Sequence, residues 1–194
     1  MKALAILATL ALVGAAPATA PVLSNALTRD GVSPTVYPQV VRVDCGEFSG
    51  TAFRVGPQEM VSVNHVTSLP GCTIDGRPFT VNVHAGDFSI ITTADEGSRW
   101  LKIDCGGFVA GRKYQAIGYA RGLDTITEVD LTATGRTIGG FSILSGVFTV
   151  VPGQSGGAVI DAQSGAVVGT VNNYNSESGL SGSIALGSTA LCRS

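Results

Sequence analysis

Gly153-Gln154-Ser155-Gly156-Gly157 is the most informative stretch of the 194-residue sequence. A serine hydroxyl is a weak nucleophile unless a neighbouring base removes its proton, and acyl transfer also needs backbone N–H groups to hold an oxyanion. Glycine before the serine lets the chain turn so that N–H groups point the same way, and glycines after it leave room for a substrate. The stretch therefore predicts a nucleophilic serine, with a plain β-turn before a strand at residues 158–160 as the alternative.

The two histidines of the chain, His65 and His84, both precede Ser155. His65 follows the apolar alternating run at residues 61–63. His84 falls on the same side of a predicted strand as other polar residues, so we expect it to face outward and to do no chemistry. The glycine–serine pattern also fits the nucleophile elbow of α/β-hydrolases, but that fold places its histidine after the serine. Chain order therefore favours His65 as the base.

An acid that orients the histidine would complete the set. Asp87 directly precedes the apolar run at residues 88–91, where a carboxylate can lie beside the rim of a sheet and accept the histidine N–H. Asp95 and Glu96 fall in a charged turn, which favours a solvated position. The other acids between His65 and Ser155 are Asp75, Asp104, Asp124, Glu128 and Asp130.

Short β-branched runs between glycine turns cover most of the chain. The predicted strands are residues 40–43, 51–55, 60–63, 79–83, 89–93, 114–119, 125–134, 147–151, 158–160 and 166–171. Only a turn near His65 and the tail at 185–191 are helix candidates. Many short strands with regular turns predict an all-β sandwich or barrel. The glycine-rich break at 104–111 could divide two small barrels.

The amino terminus has the pattern of a secretory signal peptide over residues 1–20: Lys2, an apolar run at 3–13, then small residues. An uncleaved membrane anchor is the alternative, although the run is shorter than the roughly 20 residues of a spanning helix. The cleavage point, after Ala16, Ala18 or Ala20, stays open. Residues 21–38 contain three prolines and are interpreted as a leader or loose arm.

Charge and cysteine content narrow the function classes. The formal net charge is −2, and becomes −3 without Lys2, which argues against a nucleic-acid or anionic-membrane partner. Four cysteines in an exported chain favour two disulfides over free buried thiols, with three pairings possible. No Cys-x-x-Cys or closely spaced histidine pair accompanies them, so we expect neither a metal nor a cofactor.

These features resemble the chymotrypsin-like serine proteases, and most closely their bacterial Deg-type and small viral members, whose chain order is histidine, aspartate, serine. The resemblance spans residues 39–186. Ser89 replaces an alanine that is common in the family, and Gln154 stands where many relatives have aspartate or asparagine. The blocks that carry the resemblance are residues 50–55, 61–66, 87–91, 111–119 and 153–157.

The resemblance implies two antiparallel six-stranded barrels, at residues 39–107 and 108–194, with the site in the cleft between them and a short C-terminal helix. It implies Ser155 as nucleophile, His65 as general base and then acid, Asp87 as orienting carboxylate, and the N–H groups of Gly153 and Ser155 as oxyanion donors. The expected protein is a secreted or periplasmic serine endopeptidase that acts on polypeptides, off the membrane once its signal is removed, and as a monomer. A catalytically inactive binding module on the same fold is the alternative.

By the same resemblance, the substrate pocket is walled by Thr149, Val150, Val171, Asn172 and Asn173. No acid stands there to attract Lys or Arg, and no histidine, so we expect a small or medium apolar side chain to bind. The two asparagines could pair with substrate backbone or be plain edge-strand residues. Cysteines bracket the histidine in many secreted relatives, which favours the pair Cys45–Cys72 and leaves Cys105–Cys192.

Overall fold

The structure, a computed structural model, describes residues 37–120, 123–175, 178 and 180–193, without the side chains of residues 83, 84, 174 and 175. The predicted signal peptide, most of the predicted arm at residues 21–38 and the side chain of His84 lie outside the described residues. No helix in the described ranges is long and apolar enough to cross a bilayer.

The first five strands form one antiparallel sheet in the order β1-β2-β3-β5-β4. β2, β3 and β5 are buried at nearly every position, so both faces of the sheet are covered along these strands. A single helical turn, α1 (Asn64–Thr67), follows β3 directly. The strand bounds are β1 Val40–Cys45, β2 Phe48–Arg54, β3 Glu59–Val63, β4 Thr80–Ala85 and β5 Phe88–Thr92.

The next six strands close into an antiparallel barrel in the order β10-β11-β8-β7-β6-β9. Apolar side chains fill its interior, among them Tyr114, Leu144 and Val159. Two 3-10 turns, Leu186–Ser188 and Ala190–Cys192, stand where the sequence predicts a C-terminal helix. The strand bounds are β6 Lys113–Tyr119, β7 Ile126–Ile138, β8 Phe141–Ser145, β9 Ala158–Asp161, β10 Val167–Asn175 and β11 Leu180–Ala185.

The all-β class and the second six-stranded barrel are confirmed, but the prediction of six strands in a closed first barrel is wrong. Residues 93–112 form no strand: Ile103 makes an isolated bridge to Val167, and single backbone hydrogen bonds, such as that from Leu101 N–H to Arg54 O, hold other parts of the segment. This segment is rich in charge and glycine and lacks alternation, so it cannot supply a sixth buried strand. The outer face of the second barrel covers the core instead, through Ile117, Ile160 and Ile184. The boundary between residues 107 and 108 stays a prediction.

One predicted strand is wrong and two strands were missed. Residues 147–151 form no strand, because the chain there leaves the barrel to enter the loop around Ser155. The neighbouring strands β8 and β11 have the sequences FSILS and LSGSIA. Their serines and glycine interrupt the apolar runs that signal a strand, yet both strands are held in the barrel by pairing with each other.

Candidate active site

His65 and Asp87 lie at the ends of adjacent strands. His65 is in α1, directly after β3, and Asp87 is in the two-residue turn between β4 and β5, beside Gly86 with φ of 61°. The pairing of β3 with β5 brings these ends together. One oxygen of the Asp87 carboxylate accepts the backbone N–H of His65 at 2.7 Å, and the other lies 2.7 Å from Nδ1 of the same residue. The carboxylate therefore fixes both the backbone and the ring of His65.

The electrostatic environment keeps Asp87 ionised. Its side chain is 24% exposed, whereas that of His65 is 47% exposed. Burial is the largest single influence on the Asp87 pKa and raises it, but hydrogen bonds from His65 and Asn172, with the attraction of His65, together hold the pKa below its usual value. An ionised carboxylate at Nδ1 favours the tautomer with its proton on Nδ1, which leaves Nε2 free to accept a proton.

Ser155 lies in the connection from β8 to β9, within residues 151–157, which we call the Ser155 loop. Gly153 and Gly156 have φ of 95° and 85°, conformations that residues with a Cβ rarely adopt. A Cβ on Gly156 would also overlap the carbonyl oxygen of Thr51. The two glycines thus allow the tight turn and its close approach to β2, which the sequence pattern alone could only suggest.

The backbone of the Ser155 loop is tied down at most of its polar groups. Gln154 N–H donates to Val151 O at 3.1 Å, and Gly157 N–H donates to Gln154 O at 2.8 Å. Thr51 N–H donates to Ser155 O at 2.8 Å. The N–H groups of Gly153 and Ser155 donate to no other described residue. The N–H groups on either side of Gln154 therefore have no partner among the described residues, as an oxyanion site requires.

Asn172 links Ser155 to Asp87. The Ser155 hydroxyl donates to the carbonyl oxygen of Asn172 at 3.3 Å, and the side-chain amide of Asn172 donates to the Asp87 carboxylate. Asn172 falls at a register shift in the pairing of β10 with β11, and such bulges re-aim a side chain. Within the described ranges no hydrogen bond joins Ser155 directly to His65.

Gln154, beside the serine, is fully buried. Its amide nitrogen donates to the Thr127 hydroxyl at 2.7 Å, and its amide oxygen accepts the Val151 N–H at 2.9 Å. Thr127 lies on β7 and donates in turn to the carbonyl oxygen of Gly118. The side chain therefore ties the Ser155 loop to the barrel through uncharged hydrogen bonds.

The residues predicted to wall a pocket have different surroundings. Val150 and Val171 pack in the barrel interior, and Asn172 is 4% exposed with its amide on Asp87. Thr149 is partly buried and its hydroxyl donates to Val150 O, while Asn173 is exposed. Of the five, only Thr149 and Asn173 therefore have side chains that a substrate could reach without rearrangement.

Both disulfides that the resemblance implied are present, Cys45–Cys72 and Cys105–Cys192. The first has both sulfurs within 3.7 Å of the carbonyl oxygen of Val66, the neighbour of His65. No group of three or more His, Cys, Asp or Glu side chains among the described residues could hold a metal ion.

Sequence reasoning missed three contributors to this site: Thr51, the buried amide of Gln154, and the side chain of Asn172 as a partner of Asp87. Gln154 could have been suspected, since it replaces the acidic or asparagine residue common at its position. Thr51 carries no such signal, because a threonine in a strand is ordinary.

No family model matches the sequence, and no curated protein matches it significantly. Solved structures do match. Rv3671c from M. tuberculosis H37Rv, in an inactive form, is 19% identical with a TM-score of 0.65, over 84% of this chain and 88% of that one. A Glu endopeptidase is 19% identical with a TM-score of 0.64, over 86% of this chain and 93% of that one.

A serine endoprotease from Yersinia pestis is 18% identical with a TM-score of 0.61, over 77% of this chain and 59% of that one. At such identities structural similarity is evidence of the fold alone. The protein has the chymotrypsin-like fold of the trypsin-like serine proteases.

Proposed function

We propose that the protein is a serine endopeptidase that hydrolyses polypeptides through Ser155, His65 and Asp87. The observation that carries the proposal is the Asp87 carboxylate, which binds both the backbone N–H and Nδ1 of His65. A histidine held in this way, on a fold shared with serine proteases, is prepared to accept a proton from a nearby hydroxyl. A catalytically inactive binding module on the same fold is the second candidate.

In the proposed mechanism, Nε2 of His65 removes the Ser155 proton as Oγ attacks the peptide carbonyl carbon. The N–H groups of Gly153 and Ser155 hold the oxyanion. The His65 imidazolium, stabilised by Asp87, then gives its proton to the leaving amine, and an acyl-enzyme forms. Water, deprotonated by His65, releases the acid and restores the serine. Acid–base assistance of this kind contributes roughly 10²–10⁴-fold.

Attack requires Ser155 to change its hydrogen bond. In the structure its hydroxyl points to the carbonyl oxygen of Asn172, at 3.3 Å. The proposed attack therefore requires a rotation about the Cα–Cβ bond that turns Oγ from Asn172 towards His65, and catalytic hydrogen bonds commonly tighten only when substrate is bound. Asn172 keeps its amide on Asp87 throughout, so the acid stays in place while the serine rotates.

The proposed substrate is an extended polypeptide with a small or medium apolar side chain before the cleaved bond. None of the five wall residues carries a charge, and the two that a substrate can reach, Thr149 and Asn173, offer no counter-ion for Lys or Arg, which supports an uncharged side chain at this position. We further propose that the protein acts outside the cytoplasm, because its two disulfides suit an oxidising compartment. The proposed active form is a monomer that has lost residues 1–20.

Labelling with a fluorophosphonate tests the enzyme proposal. The folded, oxidised protein should take one covalent label on Ser155, and Ser155→Ala and His65→Ala should take none. Ser164→Ala, which removes a hydroxyl from the turn between β9 and β10, is the matched control and should label normally. A peptide library should then reveal the cleaved bonds. If the folded wild type neither takes label nor cleaves any library peptide, the endopeptidase proposal is wrong and the binding module replaces it.

A further inference from the structure

Thr51, on β2, is the point at which the first sheet, the barrel and the Ser155 loop meet. It is fully buried. Its hydroxyl donates to the carbonyl oxygen of Gly153 at 2.8 Å and accepts the N–H of Tyr119 at 3.0 Å. Its backbone N–H donates to the carbonyl oxygen of Ser155 at 2.8 Å. One residue thus binds the carbonyl groups on both sides of Gln154.

The peptide between Gly153 and Gln154 is the part of the loop most in need of such a contact. Gly153 has no Cβ to restrict its rotation, and its φ of 95° shows that it uses this freedom. The peptide stands between the two N–H groups that face no described partner, those of Gly153 and Ser155. A rotation of this peptide would turn one or both N–H groups away from a common point.

The hydroxyl of Thr51 also completes the end of the barrel. The ladder between β6 and β9 ends at the pair Ile117 and Ala158, so the N–H of Tyr119 lies beyond the last strand partner. The Thr51 hydroxyl accepts this N–H in place of a strand. Gly118 allows the approach, since a Cβ there would lie 3.0 Å from the Thr51 hydroxyl oxygen.

We propose that Thr51 is a positioning residue, whose hydroxyl holds the Gly153–Gln154 peptide so that the N–H groups of Gly153 and Ser155 point to one oxyanion. Its role in turnover rests on the proposed endopeptidase function. Its role in the geometry of the loop is independent of that function, so the loop conformation and the turnover can be measured separately. Thr51 acts through the loop and does not touch the reacting atoms.

The decisive comparison is Thr51→Val with Thr51→Ser. Valine keeps the shape of threonine but leaves the Gly153 carbonyl and the Tyr119 N–H unpaired, whereas serine keeps the hydroxyl. Loss of a single oxyanion donor lowers kcat about 10²–10³-fold, so the indirect change in Thr51→Val should lower kcat by about 10–100-fold with KM within about threefold. Thr51→Ser should stay within about threefold of wild type in both constants.

Thr189→Val is the matched control for loss of a buried threonine hydroxyl. Thr189 is buried and donates to the carbonyl oxygen of Leu186, away from the Ser155 loop. It should lose a comparable amount of stability against urea but keep kcat. If Thr51→Val does not fold, Thr51→Ala replaces it, because alanine removes the hydroxyl without placing a methyl group against the Gly153 carbonyl.

Amide hydrogen exchange gives a readout that needs no turnover. Thr51→Val should speed exchange at the Gln154 and Gly157 N–H groups by at least about tenfold relative to Thr189→Val, because those hydrogen bonds depend on the loop conformation. Unchanged exchange and an unchanged kcat in Thr51→Val would overturn the inference. Should the wild type prove inactive, the endopeptidase proposal fails, and exchange alone decides the role of Thr51: faster exchange supports it and unchanged exchange overturns it.

Discussion

At the scale of single residues, Asp87 and Asp95 have the same side chain but different surroundings. Asp87 binds the histidine and Asn172. Asp95, which the sequence left as an alternative, pairs with Arg77 on the surface and has a side chain 55% exposed. The carboxylate of Asp87 therefore belongs to the candidate active site, whereas that of Asp95 forms a solvated ion pair.

We predict that Asp87→Asn lowers kcat by about 10⁴-fold, the loss known for the corresponding change in the Ser-His-Asp triad, because asparagine favours the wrong histidine tautomer. Asp95→Asn should leave kcat within about twofold, since an exposed ion pair contributes little. Turnover of a cleaved peptide and circular dichroism of each variant provide the measurement. A large loss in Asp95→Asn with little loss in Asp87→Asn would move the acid to Asp95.

At the scale of elements, the Ser155 loop owes its conformation to groups from several strands. β2 contributes Thr51, β7 contributes Thr127, and β10 accepts the Gly156 N–H through the carbonyl oxygen of Val171. These contacts are uncharged, so the loop conformation should not depend on the ionisation of its own side chains. A substitution of Gln154 by glutamate would place an ionisable group in the loop.

Gln154→Glu should make activity depend on pH in a new way. Burial raises the pKa of a carboxyl, and only its protonated form can donate to Thr127 as the amide does. As the pH rises and the carboxyl ionises, the contact with Thr127 is lost and a buried charge appears. Activity should therefore fall as the pH rises through the ionisation of the introduced carboxyl, a loss that the wild type, with its uncharged amide, should not show.

The exposed Gln58 provides the control, since Gln58→Glu adds the same group without burial. Its pH profile should match that of the wild type. Gln154→Met, which removes the hydrogen bonds but adds no charge, should lower kcat at every pH without changing the shape of the profile. A wild-type profile for Gln154→Glu would show that the amide does not hold the loop.

At the scale of the whole molecule, the disulfides connect different distances along the chain. Cys105–Cys192 joins the segment between the two sheets to the last 3-10 turn, across 87 residues, whereas Cys45–Cys72 spans 27 residues within the first half. The entropy of closing these loops in the unfolded chain gives stabilisations of about 4–5 and about 3–4 kcal/mol, respectively.

Removal of Cys105 and Cys192 by serine substitution should therefore lower the free energy of unfolding more than removal of Cys45 and Cys72. Removal of Cys45 and Cys72 should instead lower kcat more, because both of these sulfurs lie near the carbonyl oxygen of Val66, beside His65. Urea unfolding and peptide turnover of the two double variants measure both effects. The opposite ranking in both measurements would refute the assignment.

Much of the fold could be predicted because it depends on local patterns. The β-branched runs around β1, β4 and β6 predicted strands, and the closed barrel that contains β6 followed from the number of short strands and from the resemblance. The failures concern context. The apolar residues 147–151 resemble a strand but lead into a loop, while β8 and β11 are interrupted by serines that pairing in the barrel accommodates.

The sequence alone determined the all-β class, the glycine turn around Ser155 and the order of His65, Asp87 and Ser155, because residue chemistry and periodicity are local properties. Only the tertiary structure decided that the first sheet has five strands, that Asn172 turns to Asp87, and that Thr51 binds the Gly153 carbonyl. The physical reason is distance along the chain: Thr51 and Gly153 are 102 residues apart, and only the packing of the first sheet against the barrel brings their atoms into contact.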